Sequence, residues 1–303
     1  MVDITHKSST LRKATAQAVV KVSKQKTIDA IVNKTVPKGD VLEMAKTAGL
    51  FGVKKTAEMI PDCHPLPVEQ TSVEYQIEGL EVRVLMQVST MYKTGVEVEA
   101  MHGVSVVALT MYDMLKPIDK EIEIGVIKLL HKKGGKSDFK DKFRKDLRAA
   151  VIVCSDTISA GQKEDKAGLA ISEKLKSYGV EVSAYQVIPD EINEIQNAAK
   201  WYKEDDCNLI IYTGGTGLSP RDVTPEALEP LLDRRIPGME EAIRSYGQLR
   251  TPYSMLSRSL VGVMGKMLVV ALPGSTNGAK ESMDAIFPAA LHVFRIIGGG
   301  RHD

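Results

Sequence analysis

Cysteine is scarce in this chain of 303 residues, with Cys63, Cys154 and Cys207 the only three. They lie far apart and form no C-x-x-C pair, which argues against a disulfide framework or a clustered zinc site and for a reducing compartment. Aromatic side chains make up only 5% of the chain and the formal net charge is +1. A nucleic-acid surface usually carries a basic stripe interleaved with stacking rings, so that class of partner is set aside. Long apolar runs are missing as well. No stretch approaches 18 apolar residues, and "MVDITHKSSTLRKATAQ" at the start has no apolar signal core. The expectation is a cytoplasmic protein with no membrane partner.

What is present suits two ordinary domains, for 43% of residues are hydrophobic and 26% charged. Charge is shared unevenly: residues 1–145 carry 23 Lys and Arg against 18 Asp and Glu, and residues 146–303 carry 17 against 21. A local excess of base suits a small, highly anionic substrate. The stretch "KKGGKSDFKDKFRKDLR" (132–148) is charged and glycine-punctuated, and the apolar run "AAVIVCSD" follows it at once. A boundary is therefore expected near residue 145, giving domains 1–145 and 146–303.

The two halves differ in rhythm. "SVEYQIEGLEVRVLMQV" alternates apolar and polar residues on either side of Glu78 and Gly79, as in an antiparallel hairpin with one face buried. Residues 39–60 and 97–116 have helical length and spacing, with strand-like runs near 14–22 and 121–130. That order predicts an α+β domain, helices on one face of an antiparallel sheet. In the second half, strand-like 149–155, 180–188, 208–213 and 267–273 alternate with helix-like 166–179, 191–203 and a final helix. This predicts an α/β domain, a mostly parallel sheet with helices on both faces in three layers.

In such a sheet ligands bind at the carboxyl ends of the strands, and there the sequence turns polar four times: "SDTISAG", "PDE", "TGGTGLSPRD" and "PGSTNGAKES". Gly214, Gly215 and Gly217 would let backbone amides approach phosphate oxygens. Asp156, Asp190 and Asp222 have the wrong sign for phosphate and the right oxygens for Mg²⁺. Capping would explain any one of these motifs alone, but four on one rim point to a Mg²⁺-assisted nucleotide or phosphate site. In the first half, "IPDCHPLPVE", "YKTGVEVEAM", Asp113 with Lys116 three residues on, and Lys136 in "GGKSDF" offer acid/base and anion-holding groups that are each weak singly.

"TGGTGLSPRDVTPEAL", with "PG" at 237–238, "SR" at 257–258 and "LPGS" at 272–275, resembles the molybdopterin adenylyltransferase and molybdopterin-binding family over about 149–300. The resemblance implies transfer of AMP from Mg·ATP to the terminal phosphate of molybdopterin. It makes Asp190 and Asp222 the catalytic aspartates, acting through the metal, with ATP as co-substrate. Ser155, Asp156, Thr213, Gly214, Gly215, Thr216, Gly217, Pro273, Gly274 and Ser275 become contacts to nucleotide and pterin phosphates.

"MVDIT", "KGDVLEMAKTAG", "IPDCHPL", "KTGVEVEAM", "ALTMYDMLK" and "GGKSDF" resemble the cyclic pyranopterin monophosphate synthases across about 1–142. That family implies conversion of 3′,8-cyclo-7,8-dihydro-GTP to cyclic pyranopterin monophosphate with loss of pyrophosphate. It also implies a ferredoxin-like domain that assembles as a homo-oligomer, a hexamer, with sites at subunit interfaces. Asp113 would be the acid/base residue and Lys116 its partner. Asp62, Cys63, His64, Glu97, Val98 and Glu99 would touch substrate, and Arg12, Lys38 and Lys136 would hold the triphosphate. "GGKSDF" lacks the glycine that the family usually carries after Ser137. The combined expectation is a bifunctional enzyme acting on GTP-derived and pterin substrates. Its rivals are a second half that binds pterin without turnover and a first half that serves only as an oligomerisation core.

Overall fold

A computed structural model of the chain describes residues 1–135 and 146–300. The chain divides into two compact units, Met1–Phe139 and Lys140–Asp303.

In the first unit, strand β1 (Thr10–Lys21) leads to helices α1 (Gln25–Val32), α2 (Val41–Lys54) and α3 (Thr56–Met59). Strands β2 (Gln70–Glu78) and β3 (Glu81–Tyr92) form a hairpin, helix α4 (Glu97–Leu115) follows, and β4 (Glu123–Ile124) and β5 (Lys128–Lys133) close the unit. The sheet is antiparallel throughout in the order β2-β3-β1-β4, with β5 also on β1. This βαββαβ order is ferredoxin-like. Period-2 alternation decides which face is buried: Ala14, Ala16, Ala18 and Val20 of β1 and Val82, Val84, Met86 and Val88 of β3 join Val104, Val107 and Met111 of α4 in one core. Leu11 and Met91, paired across the strands and one step out of phase, remain about half exposed.

Two elements of this unit are interrupted where the sequence predicts them continuous. The helix expected over 39–60 is two, because Thr56 turns its hydroxyl onto the carbonyls of Gly52 and Val53 and α3 restarts after Lys55. The strand expected over 121–130 is also two pieces, with the Gly125 amide donating to the Val19 carbonyl between them and a register shift at Thr15/Ala16.

The second unit runs β6 (Arg148–Cys154), α5 (Asp156–Ser159), α6 (Ala167–Ser177), β7 (Glu181–Ile188), α7 (Ile192–Glu204), β8 (Leu209–Thr213) and α8 (Thr224–Leu228). It continues through β9 (Arg234–Arg235), α9 (Pro237–Gln248), β10 (Leu260–Met264), β11 (Met267–Leu272), α10 (Thr276–Ile286) and α11 (Val293–Ile297). The sheet order is β7-β6-β8-β11-β10-β9; the first four strands are mutually parallel, β10 runs antiparallel to β11, and β9 antiparallel to β10. Apolar residues of α6, α9 and α10 cover one face and those of α7 and α8 the other, giving two cores around one sheet. Because β6, β7, β8 and β11 point the same way, their carboxyl ends share one rim.

Candidate functional site

In the first unit α4 organises two groups of predicted residues. At its C-terminal end Asp113 lies between two ammonium groups: Lys38 Nζ is 2.7 Å from Oδ2 and Lys116 Nζ is 2.7 Å from Oδ1. Lys38 also donates to the Asp113 carbonyl at 2.9 Å. Hydrogen bonds from Lys116 and then Lys38 hold the Asp113 carboxyl at about 2 in the chain without substrate.

At the N-terminal end Glu99 is 3% exposed, and burial raises its carboxyl above the usual range. The Cys63 thiol donates to Glu99 Oε1 at 3.6 Å, and burial first, with the Glu99 charge next, pushes that thiol up to about 11. A carboxyl displaced toward neutrality is better matched to acid/base work than one held at about 2. His64 Nε2 lies 2.8 Å from the Val2 carbonyl, Asp62 Oδ1 2.9 Å from the Met1 amino group, and Glu97 3.2 Å from Lys132 Nζ. Val98 is 42% exposed. Arg12, expected to hold the triphosphate, donates through Nε and Nη2 to the carbonyls of Tyr92 and Lys93, each at 3.2 Å. Lys136 and the missing glycine after Ser137 lie outside the described residues. Asp113 lies fourteen residues along the helix from Glu99, about 21 Å at 1.5 Å per residue, so α4 holds the two groups well apart.

In the second unit the four strand ends meet as expected. Gly214 (φ +107°) and Gly215 (φ +63°) take the left-handed backbone that glycine tolerates. A Cβ on Gly214 would lie 2.1 Å from the Cys154 carbonyl oxygen, and one on Gly215 would lie 2.3 Å from Thr224 Oγ1 and 3.0 Å from Asp190 Oδ1. Thr213 Oγ1 donates to the Pro273 carbonyl at 2.8 Å, and Thr224 Oγ1 to the Gly214 carbonyl at 2.9 Å. Arg258 braces the loop from behind: its amide donates to the carbonyl of the buried Thr216 and its guanidinium to the carbonyls of Gly217 and Asp222 at 2.7 and 2.6 Å, and it also pairs with Glu226. That gives the "SR" motif a mechanical role. Gly274 packs against Gly214, where a Cβ would be 3.0 Å from its Cα.

The capping interpretation holds for the serines and fails for the aspartates. Ser155 Oγ accepts from the Ile158 amide at the start of α5, and Ser275 Oγ from the Gly278 amide at the start of α10. Asp190 is not the N-cap of α7, a position that Glu191 holds. Asp190 clasps Asp156, each backbone amide donating to the other's carboxylate at 3.1 Å, and its Oδ1 is buried without a partner. Among the described residues Thr10 Oγ1 is the other buried side-chain polar atom without a partner. Burial raises the Asp190 carboxyl, and the charges of Asp156 and Asp222 add to the effect while Arg221 opposes it. Asp222 Oδ2 accepts from the Ser219 amide at 2.8 Å, and a Cβ on Gly217 would lie 2.8 Å from the same oxygen.

Among the described residues no three His, Cys, Asp or Glu side chains form a metal cluster. Two carboxylates facing a glycine loop, one with an oxygen that lacks a partner, nevertheless fit Mg²⁺, which is commonly held by one or two carboxylates together with substrate phosphates. Sequence patterns do not single out Arg221, Glu191 or Thr224, although Arg221 stands beside Asp222 in "SPRD".

These two centres coincide with two family matches: the MoaC family over residues 1–135 and the "Probable molybdopterin binding domain" over residues 150–292. A "Molybdenum cofactor biosynthesis bifunctional protein" of Chlorobaculum tepidum is 40% identical over 302 residues, covering 100% of this chain and 96% of that protein. A "Cyclic pyranopterin monophosphate synthase" of Clostridium perfringens strain SM101 is 45% identical over 139 residues, 45% of this chain and 87% of its own. The crystal structure of the molybdopterin biosynthesis enzyme MoaB from Thermus thermophilus covers 52% of this chain and 99% of its own, at 40% identity and a TM-score of 0.48. With a MoaC-type first unit and a molybdopterin-binding-type second unit on one polypeptide, the chain belongs to the family of bifunctional proteins of molybdenum cofactor biosynthesis.

Proposed function

We propose that the first unit converts 3′,8-cyclo-7,8-dihydro-GTP to cyclic pyranopterin monophosphate with release of pyrophosphate, and that the second transfers AMP from ATP to the terminal phosphate of molybdopterin. In the first unit Lys38 and Lys116 receive the triphosphate, with Asp113 holding both ammonium groups at one edge. Glu99, buried beside Cys63, is the group placed to exchange a proton with the rearranging ring. Because the two groups lie about 21 Å apart on α4, a second copy of the chain completes each site, consistent with a hexamer built through this unit.

In the second unit, Asp190 and Asp222 are the residues that would hold Mg²⁺, which when bound would supply charge neutralisation to the transferring phosphate. Amides of residues 215–217 and the start of α10 at Ser275 hold the phosphate oxygens of nucleotide and pterin, and the loop places the terminal pterin phosphate in line with the phosphorus it attacks. The observation that supports this reading is the buried, partnerless Asp190 Oδ1 facing the glycine loop, an acceptor open to a bound cation. No helix among the described residues is long and apolar enough to cross a membrane. A cytoplasmic setting suits the small anionic substrates of both reactions.

The purified chain incubated with molybdopterin and Mg·ATP is expected to yield adenylylated pterin and pyrophosphate. Asp190→Asn should lower that rate at least about 100-fold while the second unit melts no lower, because the substitution removes a burial-disfavoured charge. Pterin bound tightly with no adenylylated product would reduce the second unit to a binding module.

A further inference from the structure

Arg221 has no part in the reading above, yet its contacts reach both flanks of Asp190. Its Nε donates to Asp156 Oδ2 and its Nη2 to Asp156 Oδ1, both at 3.0 Å, a two-pronged fork. The same Nη2 lies 2.9 Å from Glu191 Oε1. Asp156 is the residue that exchanges amide bonds with Asp190, and Glu191 follows Asp190 in the chain. Arg221 itself precedes Asp222. One guanidinium thus closes a circuit from the loop after β8, through the end of β6, to the end of β7. The two carboxylates that face the glycine loop sit at its two ends.

We infer that Arg221 is a positioning residue that sets the spacing and orientation of Asp190 and Asp222, acting through Asp156 and Glu191 rather than by touching substrate. The inference rests on the metal-assisted adenylyl transfer proposed above. Three physical points support it. Four acids crowd this rim, and Arg221 is the cation ion-paired to two of them. The fork requires a planar group with several donors, which a lysine ammonium cannot reproduce at equal charge. Finally, Arg221 and Asp156 are 55% and 44% exposed, so their ion pair contributes little to global stability and its loss can be read separately from folding.

The test uses the full chain and Arg221→Lys, which keeps the charge and loses the fork. Wild type and variant are titrated with Mn²⁺, followed by its paramagnetic signal, and assayed for adenylylation. The variant should melt as wild type does, bind Mn²⁺ at least about 5-fold more weakly, and lose at least about 10-fold in kcat, with KM for ATP changed far less. Asp156→Asn should reproduce the loss, and the double variant should be no worse than the worse single, as expected for two residues acting in one circuit. Wild-type Mn²⁺ affinity and kcat in Arg221→Lys, additive losses in the double variant, or losses that only track a lowered melting temperature would each overturn the inference. A wild-type chain that binds Mn²⁺ but forms no product removes the adenylylation reading and leaves the Mn²⁺ comparison to judge Arg221. A wild-type chain that takes up no Mn²⁺ overturns both.

Discussion

Aspartates show how much a residue's surroundings decide. Asp113, Asp119, Asp156, Asp190 and Asp222 are one residue type with different circumstances. Asp119 is 2% exposed and accepts from the Ser23 amide (2.9 Å) and hydroxyl (2.6 Å), the Thr27 hydroxyl (2.9 Å) and the Glu121 amide (3.2 Å). Burial works against its charge, but the bonds from Ser23, Glu121 and Thr27 prevail and hold its carboxyl at about 2. Its folded pKa is therefore depressed, and the stability it contributes is present above pH ~4 and lost as pH falls toward 2, on the order of 2 kcal/mol. Asp119→Ala should destabilise the first unit by about 3 kcal/mol at pH 7, because buried donors lose their acceptor. Asp119→Asn should flatten the acid limb, and thermal melts from pH 7 to 3 measure both. Nothing in "PIDKE" marks this aspartate as structural, whereas Asp190 and Asp222 stand out through their motifs. Arg221 and Glu191, which sequence patterns leave unmarked, act through contacts with residues 30 or more positions away, or through neighbours of such residues, which no local pattern encodes.

At the scale of elements, legibility followed periodicity. The β2–β3 hairpin, α4 and the strand–helix alternation of the second unit were readable because each has a long, regular apolar repeat. Helices α1 and α9 were not anticipated, and neither was the β10–β11 hairpin, whose turn at Gly265 (φ +66°) makes a mostly parallel sheet mixed at one edge. Close packing of α2 on α4 was equally hidden. A Cβ on Gly103 would lie 2.3 Å from Met86 Sδ and 2.4 Å from Val53 Cγ2, inside van der Waals contact. Gly103→Ala should therefore destabilise the first unit by about 1–3 kcal/mol despite alanine's better helix propensity, worth about 1 kcal/mol. Chemical denaturation of the variant measures which term wins; a net gain in stability would show that Met86 repacks without strain.

At the scale of the whole molecule, each unit has buried clusters of its own among the described residues, Ala14 to Ile122 in the first and Leu147 to Phe294 in the second. Residues 1–145 and 146–303 produced separately are expected to fold. Each should restore growth only to a strain lacking its own activity, the first for cyclic pyranopterin formation and the second for molybdopterin adenylylation. A half that is soluble and melts cooperatively but fails in its strain would count against the activity proposed for it.

By itself the sequence determined the division into an α+β and an α/β half, the glycine loop at a strand end and the residue types gathered there. Apolar periodicity and backbone-permissive glycines are local properties that survive without coordinates. Only the tertiary structure decided that Glu99 and Asp113 stand at opposite ends of one helix, that Arg12 donates to the carbonyls of Tyr92 and Lys93, and that Asp190 keeps a buried oxygen without a partner. Those are consequences of which distant segments meet, and burial and long-range pairing are set by the packed chain rather than by neighbours in sequence.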